Sequence, residues 1–443
     1  MTDAGAPAGP VTSAGVARVG AATVLTAICG YAVLYLAARA LDPAGFSVFG
    51  VFWGAFGLVG GAASGLLQEA TREVRAMRYT GAAGPATSDT GAAGPATSDT
   101  GAAGLATPST EIAEGPLIRP MRVAAGVGIA AAVIIAGTAP LWSPHVFVEA
   151  RTLSVGLLAV GLAGSCLHAT LMGMLAGVGQ WTQYGALMAT DAVSRVVIAL
   201  TTFIAGWGLV GFLWATVGGA LSWLVLLIVS PTARAAALLR TPGSARTFLR
   251  GAAHSIAAAG ASAILVMGFP VLLKATSGEL GAAGGVVILA VTLTRAPLLV
   301  PLTAMQGNLI AYFVDHRARR LRALLAPAAL VAGVGTVGVV AAGLLGPWLI
   351  RTAFGADYQL AGALLAWLTA AAVSISMLSI TGAAAVAAAL HRAYSLGWVG
   401  ATVASALLLT LPLDLSTRTV VALLCGPLVG IAVHLAALAR AAR

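Results

Sequence analysis

Charge is what this sequence has least of: Asp, Glu, Lys and Arg together make up 9% of 443 residues, against 59% hydrophobic residues and a mean hydropathy of +0.96. A soluble domain of this size needs a charged surface that such a composition cannot supply, so the chain is expected to be all-α and polytopic in a membrane. Cysteine is nearly absent. Cys29, Cys166 and Cys425 lie in apolar runs with no CxxC spacing, which argues against a disulfide framework or a metal site. No phosphate-cradling GxxxxGK[ST] and no HExxH occurs, so neither direct use of a nucleotide nor a cofactor is expected. The six His are scattered and read as structural or interfacial. The first fifteen residues lack the basic start and cleavage site of a signal peptide, so the first apolar run is expected to stay as a span.

Apolar runs are what the sequence does have. About 20 apolar residues cross roughly 30 Å of hydrocarbon, and on that measure twelve spans begin near Val19, Phe46, Val123, Leu153, Trp181, Leu209, Gly251, Leu280, Leu324, Leu360, Ala393 and Val420. Gly, at 55 residues, suits close helix packing. A net charge of +10 could suggest nucleic acid, but the arginines fall in short clusters between apolar runs. They read as a topology signal instead. With the N-terminus cytoplasmic, seventeen of the 24 basic residues fall on the inner side, chiefly at 72–78, 119–122, 234–250 and 317–322. The chain is therefore expected in the cytoplasmic membrane with both termini on the cytoplasmic side.

Residues 80–109 form a tandem decapeptide, TGAAGPATSD twice and then TGAAGLATPS. It has no apolar face and is expected to be disordered, as a tether or as a neutral expansion. A weaker repeat spans the whole chain. GLLQEATREVR around Gln68 resembles AMQGNLIAYFVDHRAR around Gln306, and AGVGQWTQYGAL around Gln180 resembles AAALHRAYSLGW around His391. The chain thus reads as two six-helix halves. A tail at 1–18 precedes the first bundle at 19–230, which carries the decapeptide loop. A linker at 231–250 leads to the second bundle at 251–439 and a short tail at 440–443.

Two charges stand inside the fifth span. Asp191 and Arg195 are four residues apart and share a helix face, where they either line an internal pathway or pin neighbouring helices. Arg295, in the eighth span, has no acid within one helical turn in sequence. It is expected to face water in a cavity, with Asp191 as a possible partner across the bundles. Gln68, Gln306 and Asn308 complete the candidate substrate-binding set. Trp181, Tyr184 and Trp207 are expected as interfacial anchors. Asp42, in the first outer loop, keeps a membrane-embedded glycosyltransferase open as an alternative, although no second carboxylate accompanies it.

The segments Ala38 to Arg75 (ARALDPAGFSVFGVFWGAFGLVGGAASGLLQEATREVR), Gly179 to Val197 (GQWTQYGALMATDAVSRVV) and Val291 to Phe313 (VTLTRAPLLVPLTAMQGNLIAYF) carry a family resemblance. The sequence resembles Wzx-type polysaccharide flippases of the multidrug/oligosaccharidyl-lipid/polysaccharide (MOP) exporter superfamily. The resemblance implies two six-helix bundles around a central cavity that opens alternately to either side. It further implies transport of a lipid-linked glycan, with membrane lipids and possible glycan-assembly enzymes as partners and no catalysis. The runner-up is a cation-coupled drug exporter of the same superfamily, but that branch commonly has an acid in an early span and the run from Val19 to Ala38 contains none. For a lipid-linked substrate the chemistry needed is a hydrated, weakly cationic cleft, and the planar fork of Arg suits phosphate.

Overall fold

The computed structural model describes residues 13–82, 117–316 and 319–441. The decapeptide loop from residue 83 onward lies outside them. The helices are α1 (Ser13–Ala40), α2 (Pro43–Ala82), α3 (Pro120–Val146), α4 (Arg151–Gly177), α5 (Trp181–Ala205), α6 (Gly208–Gly218), α7 (Ser222–Val229) and α8 (Pro231–Leu238). The second half continues with α9 (Ala245–Val266), α10 (Phe269–Ser277), α11 (Gly281–Ala304), α12 (Gln306–Asp315), α13 (Arg320–Ala323), α14 (Leu325–Phe354), α15 (Gly362–Ala387), α16 (His391–Leu408) and α17 (Leu415–Arg440). Two residues each of β1 (Leu117–Ile118) and β2 (Thr241–Pro242) pair antiparallel. The fold is all-α, two bundles about a central cavity, in a multi-pass membrane protein.

Among the described residues, eleven helical spans are long and apolar enough to cross a membrane. The eleventh expected span, near Ala393, is present as α16 but falls short of that measure, because His391, Arg392 and Tyr394 occupy its first turn. It is held along α17: Ser405 Oγ donates to the Ala422 carbonyl at 3.0 Å, and Gly397 and Gly430 let the backbones touch. Three spans contain breaks that the hydropathy pattern does not show. A 3-10 turn at Gly219–Leu221 separates α6 from α7, Met267 and Gly268 separate α9 from α10, and Met305 separates α11 from α12. Gly and Pro supply the reason for the first two, Gly218 and Gly219 in the first, Gly268 and Pro270 in the second.

Inside each half several contacts correspond: α4 packs on α2 and α3 as α15 packs on α11 and α14, and α1 packs on α5 as α9 packs on α16. The halves meet along one seam, α2 against α9, α10 and the start of α11. Gly50, Gly54, Gly57, Gly61 and Gly65 form a stripe on α2 at helical spacing, facing Ile288, Pro270, Met267, Ala263 and Ile256 in turn. Small residues are needed because hydrocarbon gives helices no hydrophobic drive to associate, so close backbone contact must hold them. One turn beyond Gly65 the buried Glu69 lies against Gly251 and pairs with Arg72 at 2.5 Å.

Space at Gly65 is the tightest in this stripe, since a Cβ there would stand 2.3 Å from the Ile256 nitrogen. Gly65→Ala is expected to cost about 1–3 kcal/mol of stability through overpacking against backbone. Gly60→Ala, with open space around it, should be neutral. Thermal unfolding of the two variants in detergent checks the seam, and equal midpoints would contradict it.

Candidate functional site

Asp191 and Arg195 sit midway along α5 and are joined at 2.9 Å from Arg195 Nη2 to Asp191 Oδ1, with Nε a second, longer donor at 3.3 Å. Their i, i+4 spacing creates the pair, and the broken sixth span makes room for it. A Cβ on Gly219, in the 3-10 turn, would lie 2.3 Å from Arg195 Nε and 2.4 Å from Asp191 Oδ1. No larger residue fits there without displacing the ion pair. The guanidinium also stands over the Phe56 ring of α2, 5.2 Å from its centroid, which lets an aromatic face share the charge.

The pair lines a cavity of about 340 Å³ inside the first half. Its walls come from α2 (Trp53, Phe56, Ser64), from α4 (Ser165, His168) and from Ala220, with Met267 of the second half at its edge. His168 Nδ1 and Ser222 Oγ are hydrogen-bonded at 3.2 Å. Both side chains of the ion pair keep some exposure, 19% for Arg195 and 17% for Asp191. Neither has another hydrogen-bond partner among the described residues, so Arg195 Nη1 and the second carboxylate oxygen are free to meet a guest. Chemically, this is a small, largely apolar chamber midway along α5 into which the ion pair brings a donor fork and an acceptor, beside hydroxyls and aromatic faces.

The second half is built alike, but its described residues form a different interior. Its corresponding helices bury His434, whose Nε2 donates to the Tyr394 carbonyl at 3.2 Å while Nδ1 faces the Thr381 hydroxyl at 3.1 Å. Both ring nitrogens are thereby used, and Gly397 and Gly382 close around the ring. It is a sealed, neutral knot.

Arg295 departs from its expected position. It does not line the polar cavity, and Asp191 is engaged by Arg195, so the suggested pairing across the bundles is not made. Instead Arg295 is 7% exposed, and its Nη1 reaches the carbonyls of Val266 at 3.2 Å and Leu265 at 3.4 Å, with the Phe269 ring 5.1 Å away. The cause lies in the seventh span. Val266 would normally receive the N–H of residue 270, but Pro270 has none, so the end of α9 leaves carbonyls to be satisfied in hydrocarbon. Arg295 supplies the donors and pins the break. Gln68, Gln306 and Asn308 are exposed and stand outside the cavity lining. Trp181 and Tyr184 pack edge-on at the start of α5, and Trp207 is 59% exposed at its other end. Asp42 caps α2, its Oδ1 accepting from the Gly45 N–H at 2.8 Å, which gives the carboxylate a structural task.

Phe56, His168, Ser222 and Gly219 belong to the site and were not singled out in the sequence. Only Gly218-Gly219 inside an apolar run offered a signal.

No protein-family profile matches the chain. It is 67% identical over 436 residues to the uncharacterized Mycobacterium tuberculosis protein Rv3630, covering 98% of this chain and 94% of that one. Among solved structures, it superposes on an inward-facing conformation of a multidrug resistance MATE family transporter of the MOP superfamily. The TM-score is 0.69 at 15% identity, with coverage of 96% and 98%. An outward-facing conformation of a multidrug resistance MATE family transporter gives 0.59 at 15% identity, over 97% and 96%.

If Arg295 serves the broken helix, Arg295→Ala leaves a buried carbonyl unmade and should destabilise the protein by about 1–3 kcal/mol. Pro270→Ala, which restores an N–H for Val266, should recover part of the loss. Asp191→Ala should recover none. Thermal unfolding of the single and double variants reads this directly, and recovery by Asp191→Ala would return Arg295 to the ion-pair network.

Proposed function

We propose that this chain, which belongs to the same family as the mycobacterial protein Rv3630 and has the MATE-type fold of the MOP superfamily, is a flippase for a lipid-linked oligosaccharide or polysaccharide precursor. It works in the cytoplasmic membrane with the arginine-rich ends of the helices inside. The observation that carries the reading is the position of Arg195: a guanidinium only partly satisfied by Asp191, held over Phe56 midway along a span at the wall of a largely apolar chamber. An ion is costly there unless it serves a guest or a partner. A phosphate or diphosphate head group meets the free Nη1 and the fork, while Ser64, Ser165 and His168 offer hydrogen bonds to the adjoining sugar. A chamber of about 340 Å³ takes a head group and leaves the rest of a glycan in the cleft between the bundles. The resemblance of the quoted segments to polysaccharide flippases supports the same substrate class. A second reading, a drug exporter, is favoured by the multidrug transporters among the structural neighbours.

The two readings separate in proteoliposomes. A fluorescent polyprenyl-diphosphate oligosaccharide should cross in a protein-dependent manner, and Arg195→Ala should slow it by about tenfold or more, the loss of one charge-assisted contact. Arg195→Lys should restore only part, because Lys lacks the planar fork. The double variant Asp191→Ala/Arg195→Ala removes both charges together and controls for folding. Movement of a cationic dye without movement of the lipid-linked oligosaccharide would establish the exporter instead.

Orientation has its own check. Reporter fusions after Arg250 and Arg322 should both read cytoplasmic, following the asymmetry of basic residues. A periplasmic signal at either site would invert the proposal.

A further inference from the structure

We infer that the ladder between β1 and β2 carries a binding site for an anionic phospholipid of the leaflet at that end of the spans, with Arg119 and Arg240 as its phosphate ligands, whatever the chamber transports. β1 and β2 pair Leu117 with Pro242 and Ile118 with Thr241. The next step of the same antiparallel register sets Arg119, whose backbone is extended at φ −106° and ψ 105°, opposite Arg240. Side chains alternate along a strand, so every second pair shares a face. Ile118 and Thr241 turn inward: Ile118 packs on the cluster that holds Leu66 and Phe248, and Thr241 is buried. Leu117 and Pro242 form the exposed face, and Arg119 and Arg240 belong to it. Like charges directly opposite across a ladder are unfavourable, so this pair calls for an anion between them.

Among the described residues the chain itself supplies no such anion. The two carboxylates at this end of α2, Glu69 and Glu73, are both held by Arg72, and the side chains of Arg119 and Arg240 make no ion pair or hydrogen bond with a described residue. The surroundings add to the demand. The first turns of α3 and α9 contain Arg122 and Arg246 and no acid, at the helix ends where the backbone dipole favours negative charge. Both helices are membrane spans from Pro120 and Ala245 onward, so the ladder lies at the edge of the hydrocarbon. There Leu117, Leu238 and Leu249 are exposed among the arginines. A soluble phosphate has no use for those leucines, whereas a phospholipid sets its glycerol and upper acyl groups on them and its phosphate in the arginine forks. In the proposed orientation this is the cytoplasmic leaflet, whose surface is negatively charged. A lipid phosphate seated between Arg119 and Arg240 removes their repulsion and reinforces the ladder.

The experiment titrates the full chain in detergent with phosphatidylglycerol and, separately, with phosphatidylcholine, reading binding by native mass spectrometry and stability by thermal unfolding. Phosphatidylglycerol should bind and raise the midpoint, and phosphatidylcholine should do neither. Arg119→Gln and Arg240→Gln should each weaken phosphatidylglycerol binding by about fivefold and together by about 25-fold, the worth of one and of two basic residues at an anionic surface. Arg351→Gln, in the last turn of α14 at the opposite end of the spans, should leave binding unchanged. Arg240→Glu sets a carboxylate across from Arg119 and so replaces the lipid. Without lipid this variant should unfold at a higher temperature than wild type, and phosphatidylglycerol should no longer raise its midpoint. Equal phosphatidylglycerol binding by wild type and the double Gln variant, or an equal lipid-induced rise in Arg240→Glu and wild type, would overturn the site. Inorganic phosphate alone producing the full rise would overturn it as well, because a free anion would then be the occupant.

Discussion

Hydrocarbon offers no hydrogen bonds, and every irregularity in this protein is arranged around that fact. A continuous helix satisfies its own backbone, so a break inside a span needs outside donors or close protein cover. The seventh span breaks before Pro270, and a guanidinium from the eighth span reaches across to the stranded carbonyls. In the sixth span the break is a 3-10 turn, which keeps short-range hydrogen bonds while swinging Gly219 against the ion pair. The two intramembrane arginines thus have different tasks. Arg295 gives Nη1 to the backbone and keeps Nη2 buried without a partner, whereas Arg195 stands with its spare donor at a cavity wall.

Duplicated architecture with unequal interiors is the second theme. Both halves use a similar set of helix pairings, yet one interior carries an ion pair and a chamber and the other a neutral histidine knot. An imidazole with both nitrogens occupied by neutral partners costs little to bury. An ion pair at the same depth is justified only by what it meets, and for that reason the first half holds the candidate site.

Much of the fold was legible because hydropathy over 20-residue windows reads the dominant cost in a membrane. The weak internal repeats around Gln68 and Gln306 gave the two-bundle organisation for the same reason, since helix ends recur where the bilayer ends. The Asp191–Arg195 pair was legible from spacing alone. Arg295 was not. Its partners are main-chain carbonyls made available by a proline 25 positions earlier, and no pattern of side chains along one helix reveals an orphaned acceptor on another. His168 and Ser222 were equally hidden, because a lone histidine in an apolar run looks the same whether it meets a cavity or a packed core. The exposed Gln68 lies within α2, and Gln306 and Asn308 at the start of α12, all outside the lining of the chamber.

The short ladder between β1 and β2 ties the segment entering α3 to the segment entering α9. It joins the two halves by main-chain bonds at the ends of the helices, and α2 also packs against β2. The halves are consequently bound like the boards of a book, with α2 and α9 as the spine and the ladder as a stitch across it. Separation at the free edge, beside α1, disturbs the least packing, so rotation about the spine is the motion that this construction resists least.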